Sequence, residues 1–241
     1  MFLSSVAYGQ IQNYRQLVNE LQFNRDLSAH WGLELDVGHS YTSTPETKHL
    51  LSSLAQLYGN VAVHYAPSNR WKLSYVYAYY FNKYVPEIDQ RAAPEWRSTV
   101  QAVYYIQRKR QILSTQLQIE DRHILNTDSV FEAVERLRTQ LKIVYPFNGK
   151  SIKKHVLYGI ASEELIFKTN SKISGNGLFD RNKFIAGIGY SFTDNMQLEA
   201  TYINEFLPRD ISNNYNELQI TAIFNNLLPR LTKYISGRKN K

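Results

Sequence analysis

Residues Phe179–Phe206 read FDRNKFIAGIGYSFTDNMQLEATYINEF. This stretch holds two runs in which apolar side chains alternate with polar or small ones, separated only by Thr193-Asp194-Asn195. Such alternation predicts β-strands, because successive side chains of a strand point to opposite faces. Two strands joined by so short a connection predict a hairpin.

The same period of two continues along the chain and predicts strands at Tyr14–Asn24, Trp31–Ser40, Leu54–Tyr65, Trp71–Asn82, Glu95–Gln107, Gln111–Arg122, Glu132–Tyr145, His155–Thr169, Arg181–Phe192, Gln197–Phe206 and Tyr215–Phe224. Several exceed the typical strand of about 5–6 residues, whereas a tilted strand that crosses a bilayer needs about 9–11. Short and longer connections alternate between them, a pattern typical of outer-membrane barrels.

The two faces of these strands differ in chemistry. One face of the fourth predicted strand carries Trp71, Leu73, Tyr75, Tyr77, Tyr79 and Phe81. Other strand faces carry charges, such as Glu95 and Arg97 on one strand. A soluble barrel would have to enclose all the aromatic rings, whereas an inverted barrel places the rings in lipid and the charges in the lumen. We therefore predict an all-β, transmembrane, antiparallel up-and-down β-barrel of 10–12 strands with a polar, charged lumen.

The number of strands and the two ends of the chain give further predictions. Bacterial single-chain barrels have even numbers of strands. Eleven candidates therefore imply either that Tyr14–Asn24 is not a full barrel strand or that a twelfth strand lies near the termini. The opening MFLSSVAYGQ has an apolar run followed by small residues, which predicts a signal-peptide remnant at residues 1–9. The barrel is predicted at residues 10–224 and a basic tail at residues 225–241.

Composition excludes several classes. The chain of 241 residues has no cysteine, so it has neither disulfides nor cysteine-based metal or nucleophilic sites. No window approaches 18 consecutive apolar residues, which excludes a transmembrane helix. The net charge is +7, but much of the excess lies in the tail and no nucleic-acid-binding fold emerges, so we predict no nucleic-acid partner. The 18 tyrosines suit a membrane–water boundary.

The candidate site is a lumen charge network. Its predicted members are Glu95, Arg97, Glu120, Arg122, Arg136, Arg138, Glu164, Arg181, Lys183 and Glu199. Carboxylates and guanidinium groups in a narrow barrel are expected to pair, because an unpaired charge away from bulk water is costly. They either form a salt-bridged plug that stiffens the barrel or line a narrow polar channel, in which the basic excess favours anions.

Catalytic signals are weak. The six histidines form no HExxH motif and no pair spaced for zinc, and we predict no metal, no cofactor and no catalytic residue. His39-Ser40 is similar to the His and Ser of outer-membrane lipid hydrolases, but adjacent strand residues point to opposite faces. A non-enzymatic barrel is the leading interpretation, as a narrow pore or as a structural or accessory subunit of an envelope complex. A membrane-embedded hydrolase acting on lipid or surface substrates is the alternative.

Five segments in order carry a family resemblance: APEWR at Ala93–Arg97, QIEDRHI at Gln118–Ile124, ERLRTQLKIVYPF at Glu135–Phe147, SEELIF at Ser162–Phe167 and the hairpin at Phe179–Phe206. Together they resemble an uncharacterised outer-membrane β-barrel family of Gram-negative bacteria, known only as a domain of unknown function. The resemblance covers about Tyr14–Phe224 and departs at Lys183, where the family tends to have arginine.

The resemblance implies a barrel in the bacterial outer membrane and supplies no catalytic residues. For a barrel in that membrane we expect outer-membrane lipid and lipopolysaccharide as partners. The accessory-subunit interpretation adds subunits of an envelope complex. The segment Asn216–Phe224, NELQITAIF, also resembles the last-strand signal read by the barrel-assembly machinery, a further expected partner during biogenesis.

Overall fold

The computed structural model of the chain describes residues 11–43, 49, 53–85, 90–126, 128–171, 175–209 and 211–227. They form eleven strands: β1 (Ile11–Asp26), β2 (Trp31–Thr42), β3 (Ser53–Ser68), β4 (Trp71–Val85), β5 (Gln90–Arg108), β6 (Ile112–Leu125), β7 (Phe131–Pro146), β8 (Val156–Lys168), β9 (Phe179–Thr193), β10 (Met196–Leu207) and β11 (Ser212–Asn225). Within these ranges no helix is long and apolar enough to cross a membrane. The predicted signal remnant lies outside the described residues, as does most of the predicted tail.

The strands close into one up-and-down barrel. Each strand pairs antiparallel with the next along the chain, as period-two strands joined by short connections should. Between the first and last strands the pairing is parallel, in a ladder that runs from Ile11 opposite Ser212 to Asn24 opposite Asn225. The predicted all-β barrel of 10–12 strands is therefore confirmed, with eleven strands.

The expectation of an even strand number is wrong. The predicted strand Tyr14–Asn24 is a full member of the barrel, and the described residues close the barrel without a twelfth strand. The reason is the parallel ladder between β1 and β11, since parallel pairing lets an odd number of strands close. We call the edge with the connections after odd-numbered strands the turn rim, and the opposite edge the loop rim. β1 begins at the loop rim, and β11 ends at the turn rim.

The outer surface of the barrel is apolar. Val100, Ile119 and Ile188 are 61%, 62% and 55% exposed, whereas Glu95 and Glu120 inside the barrel are 1% and 2% exposed. This distribution is the reverse of that in soluble proteins, where acidic side chains are rarely buried and large apolar patches are seldom exposed. The alternating faces of the strands produce it, because one residue in two points outward.

Aromatic rings gather on this surface near both rims. At the turn rim, Trp31 packs on Tyr65 with ring centroids 4.7 Å apart. At the loop rim, Phe167 meets Phe179 edge to face at 5.7 Å. On β4 exposed tyrosines also continue between the rims, at Tyr75, Tyr77 and Tyr79. Rings concentrated at two levels are typical of proteins that sit across two membrane–water boundaries.

Large inward tyrosines fill part of the lumen by lying over glycines. The ring of Tyr158 on β8 is 1% exposed and covers Gly189 on β9, where a Cβ atom would collide with the ring. Tyr58 on β3 covers Gly38 on β2 in the same way. Such pairs of large and small residues let neighbouring strands fill a narrow interior.

Candidate functional site

Charged side chains at alternate positions of β5 to β10 face the lumen, because the residues between them form the apolar outer surface. Ion pairs within 4.0 Å join eleven described residues into what we call the ion-pair network: Glu95, Arg97, Glu120, Arg122, Arg136, Arg138, Glu164, Asp180, Arg181, Glu205 and Arg209. Each buried charge thereby gains an opposite charge and hydrogen bonds, the condition under which buried charges are tolerated.

Glu95 holds two arginines that stand opposite each other on neighbouring strands. Arg122 forms a bidentate interaction with Glu95: Nε donates to Oε1 and Nη2 donates to Oε2, each at 2.7 Å. Arg97 donates through Nε to the same Oε1. Since Arg97 and Arg122 are direct cross-strand partners, the carboxylate between them offsets a repulsive pair of like charges.

Glu120 is surrounded by three guanidinium groups. Its carboxylate lies 2.9 Å from Nη1 of Arg138, 3.3 Å from Nη1 of Arg136 and 3.8 Å from Nη1 of Arg97. Arg138 also donates through Nε to Glu164 at 2.8 Å. These contacts link β5, β6, β7 and β8 across the inside of the barrel.

Asp180 forms a third centre and is fully buried. Its carboxylate lies 3.1 Å from Nη2 of Arg136, 2.9 Å from Nε of Arg181 and 2.6 Å from Nη2 of Arg209. The register of β8 against β9 shifts between Ile166 and Phe167, so Asp180 and Arg181 are both buried although they are adjacent. A β-bulge has this effect because one strand gains an extra residue, which re-aims a side chain. Simple alternation misses Asp180 for this reason.

The structure brings eight of the ten sequence-predicted residues into the ion-pair network and leaves two apart. Lys183 faces the lumen but has no ion pair within 4.0 Å among the described residues. Glu199 lies nearer the turn rim, where it accepts a hydrogen bond from the Tyr158 hydroxyl at 2.8 Å. Three members of the observed network were not in the predicted one: Asp180, Glu205 and Arg209. Glu205 shares the inward face of β10 with Glu199, so its position was visible in the alternation.

A cavity of about 330 Å³ adjoins the network in the half of the barrel nearer the loop rim. Strands β5 to β9 contribute one carboxylate to its lining, from Glu95, and six cationic side chains: Arg97, Arg122, Arg136, Arg138, Arg181 and Lys183. The strands β10, β11 and β1 contribute Glu205, Glu217 and Glu20 and no cation. The two sides of the cavity therefore carry opposite charge. We call them the cationic wall and the acidic wall.

A separate polar cluster faces the lumen near the turn rim. Nδ1 of His64 lies 2.8 Å from Oγ of Ser74, and Nε2 of His64 lies 3.3 Å from Oε2 of Glu34. His64 and Ser74 are direct cross-strand partners on β3 and β4, so the sheet register creates the contact. The sequence gives no local signal for it, since the three residues are on three strands.

The pair His39-Ser40 behaves differently. Nε2 of His39 lies 3.2 Å from Nδ2 of Asn19. Ser40 is instead buried on the inward face and lines the cavity. Their side chains point to opposite faces, as alternation requires. Among the described residues there is also no group of three or more His, Asp or Glu side chains able to hold a metal ion.

An apolar exterior around an ion-paired lumen defines the chain as a closed β-barrel of inverted polarity. The family described as "Protein of unknown function (DUF2490)" matches residues 15–216, and the chain belongs to this family. The match begins in β1 and ends in β11, so it includes the whole ion-pair network. The resemblance to a family known only as a domain of unknown function is thus confirmed. No curated protein matches the chain.

Proposed function

We propose that the protein is an integral barrel of the Gram-negative outer membrane and that its lumen is a narrow polar pore. One observation carries this proposal: the outward residues are exposed and apolar, whereas the inward residues are buried and charged. An apolar belt between two aromatic levels needs lipid around it, because water would leave a large apolar surface exposed. A closed barrel also leaves no strand edge with unpaired backbone groups, as a bilayer requires.

The ion-pair network supports a narrow pathway over a wide one. Its arginines reach across strands β5 to β9 and occupy part of the cross-section, which leaves the cavity of about 330 Å³. Cationic side chains outnumber carboxylates in the cavity lining, a composition that favours anions over cations. Short turns of outer-membrane barrels are periplasmic, so the turn rim faces the periplasm in this proposal. Lipid and lipopolysaccharide would surround the belt, and the barrel-assembly machinery would insert it.

Planar-bilayer recording of the purified, refolded protein tests the pore. We expect small, discrete conductance steps and a reversal potential that indicates a preference for chloride over potassium. Charge reversal at Lys183, which has no ion pair within 4.0 Å among the described residues, should shift the preference toward potassium without unfolding the barrel. A correctly folded barrel without conductance that copurifies with envelope proteins would overturn the pore and favour a structural or accessory subunit.

The polar cluster near the turn rim favours a second candidate, a serine hydrolase. Ser74 lies within hydrogen-bond distance of His64, whose other ring nitrogen faces Glu34. This is the relation of nucleophile, general base and orienting carboxylate. With the proton on Nε2, His64 would accept the Ser74 proton as Oγ attacks an ester carbonyl, then return it to the leaving alcohol. Water would release the acyl group. Because the cluster faces the lumen, the substrate would be a soluble ester and not a bilayer lipid.

Covalent labelling tests the second candidate, the serine hydrolase. A fluorophosphonate probe should label the folded barrel at Ser74, and Ser74→Ala or His64→Ala should abolish labelling. Ser114→Ala is the matched control, since Ser114 is also an inward-facing strand serine but has no histidine within hydrogen-bond distance among the described residues. Absence of labelling in the folded wild-type protein would exclude a reactive serine.

A further inference from the structure

The charged groups of the two cavity walls do not fully pair with each other. Within the cationic wall, Nη1 of Arg122 and Nε of Arg136 are buried and lack a hydrogen-bond partner among the described residues. The two residues are only 5% and 4% exposed, so bulk water gives their guanidinium groups little compensation. Lys183, on the same wall, has no ion pair within 4.0 Å in the described part of the chain.

The acidic wall has the complementary deficit. Glu217 makes no hydrogen bond and no ion pair with any described residue. Glu20 is held by neutral donors: the Tyr58 hydroxyl at 2.7 Å and the Gln219 amide at 3.3 Å. Neither carboxylate has a cation within 4.0 Å among the residues described. Guanidinium groups with unpartnered N–H groups on one side of the cavity thus face carboxylates that have no cation within 4.0 Å on the other. Lys183 stands where the two walls meet, because it is the direct cross-strand partner of Glu205.

Charge counting excludes a simple anion site. The ion-pair network together with Lys183 has seven cations (Arg97, Arg122, Arg136, Arg138, Arg181, Arg209 and Lys183) against five carboxylates (Glu95, Glu120, Glu164, Asp180 and Glu205). This surplus of two equals the two carboxylates of Glu20 and Glu217 across the cavity. When the network residues behind the lining are included, the charges around the cavity balance in total but are separated in space, so a bound anion alone would leave the acidic wall uncompensated.

We propose that this cavity binds a small zwitterion of the amino-acid or short-peptide type. The ligand carboxylate contacts the cationic wall, and its ammonium group contacts Glu217 and Glu20. Arginine is suited to the first contact because its planar fork matches a carboxylate, and a compact ammonium group suits the second. The volume of about 330 Å³ lies at the lower end of the range for small-molecule sites. The inference rests on the water-filled lumen of the proposed function and names a solute class for it.

Isothermal titration calorimetry of the folded barrel in detergent tests the site with dialanine and two derivatives, each blocked at one end. Dialanine carries both charges, N-acetyl-dialanine only the carboxylate, and dialanine amide only the ammonium group. We expect dialanine to bind at least about tenfold more tightly than either blocked peptide. Equal affinity for dialanine and N-acetyl-dialanine would overturn the proposal, since it would define an anion site. Absence of binding by dialanine would overturn it as well.

Two substitutions assign the ends of the ligand. Glu217→Gln should weaken dialanine binding by about tenfold and leave N-acetyl-dialanine binding unchanged, because it removes only the ammonium partner. Lys183→Gln should weaken both. Neither residue belongs to the ion-pair network, and heat-modifiable migration on gels confirms folding. Glu199→Gln is the matched control, as its side chain faces the lumen outside the cavity lining and should change nothing. Unchanged dialanine binding in folded Glu217→Gln protein would refute the orientation and the proposal with it.

The calorimetric test does not depend on conductance. A barrel that conducts ions but does not bind dialanine overturns the inference and leaves the pore intact. A barrel that binds dialanine selectively but does not conduct supports the inference, whereas the pore would then be wrong.

Discussion

Replacing Glu95 by Gln should destabilise the barrel more than replacing Glu120 by Gln, although Glu120 has more ion-pair partners. Glu95 is the sole carboxylate within 4.0 Å of Arg122 among the described residues, and Arg122 is 5% exposed. The substitution therefore leaves a buried guanidinium group without a counter-charge. Removing one partner of a buried ion pair in this way costs about 3–5 kcal/mol.

The substitution at Glu120 has a different consequence, because each arginine there keeps another carboxylate. Arg97 retains Glu95, Arg138 retains Glu164 and Arg136 retains Asp180. A glutamine also keeps one acceptor oxygen in the same place. The loss is then nearer to that of one charge-assisted hydrogen bond, about 1.5–3 kcal/mol. The midpoints of the two ranges differ by about 2 kcal/mol, which is the difference expected between the two variants.

Urea unfolding of the protein in phospholipid vesicles, followed by tryptophan fluorescence, gives the free energies of unfolding. The three variants to compare are Glu95→Gln, Glu120→Gln and the control Glu199→Gln, whose carboxylate accepts its hydrogen bond from Tyr158. The control should lose about 0.5–1.5 kcal/mol, the value of one ordinary hydrogen bond. Equal m-values would show that the unfolded states are comparable. If Glu120→Gln proves as destabilising as Glu95→Gln, retention of second partners does not govern stability in this network.

Three further substitutions test other parts of the structure. Ile188→Asp places a charge on the outer face, where Arg or Lys costs about 2–4 kcal/mol at the bilayer midplane and Asp somewhat less; normal heat-modifiable folding in vesicles would contradict the face assignment. Arg138→Ala removes the link between Glu120 and Glu164, so stability should fall or selectivity shift toward cations while membrane insertion continues; failed insertion would contradict this. Gly189→Ala drives a methyl group into the ring of Tyr158 and should cost about 1–3 kcal/mol in urea unfolding; a neutral result would show that the ring moves freely.

Alternation alone predicted the strands and their faces well. The hairpin predicted at Arg181–Phe192 and Gln197–Phe206 is observed as β9 and β10. β9 begins about two residues earlier and ends about one residue later than predicted, and β10 is about one residue longer at each end. Period two determines which side chains share a face, and here the contrast between aromatic and charged faces is strong. The inverted polarity of the barrel follows from that contrast. Charged side chains such as Glu95 and Arg97 can pair inside the lumen, whereas on the outer face they would be buried in lipid without a partner.

Partner choice within the sheet could not be predicted from the same pattern. Period two says nothing about which strand lies beside β1, and the rule of even strand number pointed away from the parallel ladder with β11. Individual ion pairs depend on register across several strands, which is why the sequence placed Glu199 among the network residues. Asp180 required knowledge of a bulge, and Arg209 lies in the connection after β10, where alternation no longer applies.

The parallel seam between β1 and β11 has a consequence for protein engineering. In a barrel with an even number of strands, the first and last strand residues share one rim, and a short linker can join them in a circular permutant. Here Ile11 stands beside Ser212, at the far end of β11 from Asn225. A linker from Asn225 back to Ile11 must travel the length of the ladder, roughly 45 Å at about 3.3 Å per residue. Reporter tags fused beyond the two ends of the barrel should accordingly be accessible to reagents from opposite sides of a vesicle.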